Sequence, residues 1–209
     1  MKDNIRATVD QLCQYIENTP DVEKKIDTLN YIRAMLHRVS PLKHHPVDFI
    51  AWEKSENIEG NNYNPNSVAP PEMRLLITSI EEDGYTMPIV TSPENESLRI
   101  VDGFHRRQSE IKSTKISTST YGRLPVTFIR EEQRGLSDRM ACTIRHNRAR
   151  GAHNIDLLSS IVRELTLIGK SPKWIAKNIG MDMDEILRLK QLTGIAALFA
   201  DEDFSISRE

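Results

Sequence analysis

Apolar residues recur at three- to four-residue steps through Ile5, Val9, Leu12 and Ile16, and again through Val22, Ile26, Leu29, Ile32 and Leu36. That is the period of an amphipathic helix. Thr19-Pro20-Asp21 interrupts the pattern and Ser40-Pro41 ends it, so the chain is predicted to open with a helical hairpin that packs on the main domain or on a partner. From about Pro46 the texture changes. Val47-Asp48-Phe49-Ile50 reads as a short strand, and residues 56–71, rich in Asn, Pro and Gly, read as a long loop. Residues 72–83 carry Met73, Leu76, Ile77 and Ile80 at helical spacing and stop at Gly84, a natural C-terminal cap. Pro88-Ile89-Val90-Thr91 and Leu98-Arg99-Ile100-Val101 read as strands joined by a Pro-Glu-Asn-Glu turn, and Val126-Thr127-Phe128-Ile129 as a further strand. Helices are expected from Gly103 to about Lys112 and from Ser137 towards Arg145. Beyond Gly151 the pattern is helical throughout. Residues 155–168 are amphipathic, and residues 171–192 have the spacing of a helix-turn-helix, with Ala176 under the turn, Gly180 in it, and Ile175, Ile179, Ile186 and Leu189 buried. The expected fold class is mixed α/β (α+β): a small mixed sheet with helices, followed by an all-helical region. The predicted division is a hairpin over 1–45, a sheet domain over 46–151 and a helical region over 152–209. No internal repeat shows.

Composition narrows the class. Of 209 residues, 38% are hydrophobic and 28% charged, an ordinary globular balance. The longest apolar runs are a few residues, against the roughly 20 that a membrane helix needs. Met1-Lys2-Asp3-Asn4 lacks the apolar core of a signal peptide. A cytoplasmic protein without membrane partners is expected. Cys13 and Cys142 have no metal or redox spacing and are expected to be plain buried thiols. His44-His45 has no third ligand at sensible spacing and reads as a surface pair. Trp52 and Trp174 read as packing residues, and Asp201-Glu202-Asp203 as a frayed end.

The net charge of −2 argues against indiscriminate coating of nucleic acid. Its distribution changes the picture. From Arg106 to Arg150 there are nine Arg and two Lys against three Glu and one Asp, a local excess that suits a compact polyanion or a solvated face balanced by acidic neighbours.

The densest chemistry lies at Ile100-Val101-Asp102-Gly103-Phe104-His105-Arg106-Arg107. A glycine between strand and helix lets backbone amides approach a ligand, and the helix start adds unsatisfied N–H groups and partial positive charge. His105, Arg106 and Arg107 supply charge-assisted donors for phosphate oxygens. Asp102, at the strand end, is placed to hold Mg²⁺ or accept a proton. The alternative is a strand-turn-helix whose arginines only cap and solvate.

These residues resemble the ParB/sulfiredoxin superfamily. Pro88-Ile89-Val90 followed by the Asp-Gly-Phe-His-Arg turn looks like its core, and Ser79-Ile80 with Gly84 before Pro88 resembles the helix that leads into it. His146-Asn147-Arg148-Ala149-Arg150 lies where ParB proteins carry their Glu-Asn-x-x-Arg box. The similarity spans roughly residues 60–195. It implies triphosphate binding through Gly103, Phe104, His105, Arg106, Arg107, Asn147, Arg148 and Arg150. Members of the superfamily include CTP-switched DNA clamps, ATP-dependent sulfinic acid reductases and serine kinases. The reductase branch needs Cys where this chain has Phe104, so no thiolate is available for its chemistry. Partition-type ParB proteins have Gly-Glu-Arg-Arg where this chain has Gly-Phe-His-Arg. The Asp-Gly-x-His-Arg form is closest to the serine-kinase branch, yet Asn64-Pro65-Asn66-Ser67 lacks that branch's catalytic Glu, with Glu59 and Glu72 only nearby.

The first expectation is an ATP-dependent phosphotransferase using ATP (or CTP) and Mg²⁺, with Asp102 and His105 catalytic and a protein or small hydroxyl compound as acceptor. The second is a nucleotide-responsive DNA-binding regulator. There Lys173, Lys177, Arg188 and Lys190 would touch the DNA backbone, against the repulsion of Asp182, Asp184 and Glu185 at the start of the second helix. A structural or protein-binding role for the helix-turn-helix is its alternative.

Overall fold

The fold is described over residues 2–61, 69–149 and 155–192 of a computed structural model. It divides into two compact units, Met1–Gly60 with Pro71–Glu131, and Asn61–Pro70 with Glu132–Glu209.

The first unit is built on a five-stranded mixed sheet. Its strands are β1 (Ala51–Lys54), β2 (Ile58–Glu59), β3 (Ile89–Glu94), β4 (Ser97–Asp102) and β5 (Arg123–Phe128), in the order β1-β5-β3-β4-β2. β3 and β4 form an antiparallel hairpin, with Asn95 at φ +55° in its turn, a conformation Asn tolerates. β5 lies parallel to β3, β1 antiparallel to β5, and β2 parallel to β4. Ala51, Ile58, Ile89, Ile100, Leu124 and Val126 form the core, with Tyr85 and Phe104 packed against it.

The N-terminal hairpin forms as predicted, as α1 (Lys2–Glu17) and α2 (Val22–Val39), with Asp21 capping α2 through Glu23 N at 2.9 Å. A buried arginine docks α2 on the sheet. Arg123 on β5 is 3% exposed, and its Nη2 and Nη1 reach Glu23 at 2.6 Å and Asp27 at 2.8 Å. These two carboxylates stand one helical turn apart on α2, on the same face. Asn30 adds a two-way bridge to the backbone of Trp52, at 2.9 Å each way.

Helices α3 (Pro70–Asp83), α4 (Phe104–Lys112) and α5 (Thr114–Ser119) follow. Ser113 links them: its Oγ caps α5 at Ile116 N and donates to Glu81 of α3 at 2.5 Å.

Besides the unpredicted α5, the structure differs from the sequence pattern in three places. The strand expected at 47–50 is a 3-10 turn, Pro46–Asp48, and pairing begins at Ala51. Phe49 stacks on Phe128 rather than joining the ladder, and Val47 is exposed. The expected loop from 56 begins with a 3-10 turn and β2, while residues 62–68 lie outside the described ones. Cys13 is exposed, not buried: it lies on α1 beside Ile5, Val9 and Leu12, which are exposed as well. Cys142 is buried as expected.

The second unit is helical: α6 (Leu136–Ala149), α7 (Ile155–Leu167), α8 (Pro172–Ile179) and α9 (Met183–Leu192). Its core gathers Met140 and Ile144 of α6 with Leu158, Ile161 and Leu165 of α7 and the four predicted helix-turn-helix residues, Ile175, Ile179, Ile186 and Leu189. Among the described residues, no helix is long and apolar enough to cross a membrane.

Candidate functional site

At the end of β4 the pairing slips by one residue. Thr91 faces Ile100 and Val90 faces Asp102, so Val101 is the extra residue of a bulge. Bulges bend a strand and re-aim the side chains beyond them. Here the bulge immediately precedes Asp102, which is 9% exposed. Gly103 then takes φ +99°, ψ +21° and caps α4 without any side-chain hydrogen bond. Its carbonyl accepts from Arg106 N at 3.0 Å and Arg107 N at 3.2 Å. The N–H groups at the very start of α4 have no partner within the helix, as at any helix start.

The side chains of this turn are not equivalent. Phe104 packs against the sheet core and anchors the helix start, a packing role alongside the ligand contact expected of it. Its ring would touch a β-carbon on Gly60 at 2.9 Å. Arg106 folds back over the turn: its Nη2 donates to Pro88 O at 3.1 Å and stands 3.6 Å from Asp102 Oδ2. Tyr85 Oη donates to Arg106 O at 2.9 Å. Burial, and secondarily the charge of Glu110, push the Tyr85 phenol well above its ordinary value, so it stays protonated as that donor. His105 is half-buried, edge-on to Phe104 at 5.6 Å. Burial, followed by the charges of Arg106 and Lys112, holds it below the ordinary imidazole value, while Asp102 acts the other way. His105 is therefore neutral at pH 7 and offers one N–H. Arg107 is half-buried, with its Nε shut away from solvent and without an acceptor.

Asp102, Gly103, His105, Arg106 and Arg107 thus come together at one strand-to-helix turn. Asn147 and Arg148 lie in α6, in the second unit; their side chains, and all of Arg150, fall outside the described residues. The sequence pattern marked Pro88 as a strand start but not its carbonyl's hold on Arg106, and it did not mark Tyr85 at all. The only signal was their position between Gly84 and β3. Among the described residues, no three His, Cys, Asp or Glu side chains gather as a metal cluster. A Mg²⁺ ion here would have Asp102 as its protein carboxylate and nucleotide phosphates for the remainder, a common arrangement for this ion.

In the second unit Ser171 caps α8 at Trp174 N, 3.2 Å away, and Gly180 ends it at φ +74°. Asp182 caps α9, its Oδ1 accepting from Glu185 N at 2.6 Å. Lys173, Lys177 and Arg188 are exposed. Lys190 is 1% exposed, so it does not present an ammonium for the phosphate contact expected of it; it belongs to the inner face of α9, next to Leu189.

Residues 153–201 match the family model of the IbrB-like C-terminal HTH domain. YbdM of Escherichia coli (strain K12) is 46% identical over 201 residues, which cover 96% of this chain and 94% of that protein. The chain belongs to the YbdM family. Solved structures similar to it include chromosome-partitioning protein ParB of Caulobacter crescentus, complexed with CTP-gamma-S. That likeness has a TM-score of 0.41 at 17% identity and covers 69% of this chain and 78% of that one. The same ParB complexed to the centromeric parS site gives 0.44 at 16%, over 68% and 71%. SbnI of Staphylococcus aureus gives 0.32 at 22%, over 43% and 34%. The chain thus comprises a mixed α/β unit, with its bulged strand and glycine turn, and a helical unit that carries the helix-turn-helix.

Proposed function

We propose that this YbdM-family chain is a nucleoside-triphosphate-binding, nucleotide-responsive DNA-binding regulator. The observation that carries the nucleotide half is the turn itself. A left-handed glycine leaves the first amides of α4 without a side-chain cap, next in sequence to His105 and Arg107, while Arg106 is held back by Asp102 and Pro88. Backbone amides, one neutral imidazole N–H and a guanidinium match the acceptor-rich edge of a phosphate chain.

The DNA half is supported by the helix-turn-helix with its exposed Lys173, Lys177 and Arg188. Asp182, Asp184 and Glu185 at the start of α9 oppose base reading, so contact with the phosphate backbone through α8 and Arg188 would dominate.

A second reading, phosphoryl transfer from ATP with Mg²⁺ to a protein or small hydroxyl acceptor, rests on Asp102, a nearly buried carboxylate at the strand end. Its closeness to Arg106 favours the binding role, because that guanidinium already compensates the carboxylate's charge. Calorimetry of ATP, CTP, GTP and ADP with Mg²⁺ against wild type, His105→Gln and Arg107→Met tests the nucleotide half. Saturable binding weakened in both variants supports it, and no binding of any of the four overturns it. Salt-dependent duplex binding that changes with nucleotide favours the regulator. Turnover abolished by Asp102→Asn, with nucleotide still bound, favours phosphoryl transfer.

A further inference from the structure

The first unit contains a cavity of about 420 Å³, walled by Trp52, Tyr85, Pro88 and Pro125 and carrying Arg33 and Asp48. That volume suits a small organic molecule. None of the turn residues from Asp102 to Arg107 lines it. The two charged groups are in opposite conditions. Asp48 is fully engaged: Oδ2 meets His37 Nδ1 at 2.6 Å and Oδ1 accepts from Ser40 Oγ at 3.0 Å. The His37 contact, ahead of the cost of burial, holds its carboxyl below the ordinary range. Among the described residues, no hydrogen bond or ion pair engages the Arg33 side chain, and its Nη1 is shut away from solvent without an acceptor. Arg33 is half-buried in the cavity wall, and a guanidinium held there without a partner is costly to leave unpaired.

We infer that this cavity is a binding site for a small organic carboxylate with a flat, apolar body. Arg33 would take the carboxylate without giving up an internal partner, its planar fork matching that anion. Trp52 and Tyr85, edge-to-face at 6.5 Å, and the two prolines would cover the ring or chain. A monoanion fits better than a phosphate. One cation lines the wall among the described residues, and Asp48 in the same wall would repel a second negative charge. The site shares Tyr85 and Pro88 with the supports of Arg106, but it does not rest on the nucleotide reading and is tested without nucleotide.

Benzoate, its neutral counterpart benzamide, and phenyl phosphate are titrated into the full chain carrying Trp174→Phe, so that Trp52 reports alone. Saturable quenching by benzoate, with benzamide weaker by about tenfold or more, is expected. Arg33→Met, checked by its melting curve, should remove that preference. Benzoate that fails to saturate, benzamide that binds equally, or phenyl phosphate that binds more tightly overturns the assignment. The comparison of the three probes on the unmutated Arg33 decides even if Arg33→Met does not fold.

Discussion

The guanidinium of Arg106 lies directly over Gly103: a β-carbon at position 103 would stand 2.7 Å from Arg106 Nη2 and 3.0 Å from Nε. Glycine is thus required twice, by its φ of +99° and by the side chain that covers it. Gly103→Ala must displace Arg106 from Asp102 and Pro88 as well as strain the backbone. The expected cost is about 1–3 kcal/mol in a urea melt, together with a marked loss of nucleotide binding by calorimetry. A variant as stable and as competent as wild type would remove this turn from the site.

His105 is neutral because it is half-buried beside two cations. A bound polyphosphate favours its protonated form, so binding should take up a proton and tighten as pH falls from 8 to 6. The unliganded protein should behave oppositely. A histidine with a depressed folded value contributes its stability above the unfolded value of about 6.5 and loses it as pH falls towards the folded value. His105→Gln should flatten both trends, and calorimetry and thermal melts across that range check it.

Arg123 is buried, whereas its partners Glu23 and Asp27 are half to two-thirds exposed. Removing both carboxylates leaves a buried guanidinium without counter-charge. Glu23→Ala with Asp27→Ala should cost about 2–3 kcal/mol, below the full value for a buried pair because solvent already screens the acids. Chemical denaturation measures the loss, and hydrogen exchange should show α2 opening first.

Asp184 and Glu185 stand in the first turn of α9, where they favour the helix dipole but repel DNA. Asp184→Asn with Glu185→Gln should strengthen duplex binding several-fold at low salt, and Lys173→Glu with Lys177→Glu should weaken it and flatten its salt dependence. Filter binding or fluorescence anisotropy across salt concentrations reads both. Unchanged affinity in all four substitutions would leave the helix-turn-helix a structural element. Lys190 is unsuited to this test, since its burial makes any change a folding change.

Most elements were legible in the amino-acid order because they depend on local rules. The hairpin followed from a 3.6-residue period, α3 and α8 from glycines that stop them, and the Asp102-Gly103 turn from a residue that alone adopts its φ freely. The helix-turn-helix followed from four apolar positions that can be buried together only in that arrangement. What pairs across long separations was not legible. The first strand lay at Ala51–Lys54, not 47–50, because its partner β5 is far away in sequence, with Ala51 facing Val126, and register is set by that pairing. The short α5, capped through Ser113 and tied to Glu81, and the weak two-residue β2 likewise owe their existence to tertiary contacts. At the turn, the sequence supplied the charged residues but could not say which of them were already committed. Only the folded chain places Arg106 against Asp102 and Pro88, depresses His105 by burial, leaves Arg33 unpaired beside an engaged Asp48, and buries Lys190. Charge type is a property of the residue, while its availability to a ligand is a property of the neighbours that the fold brings to it.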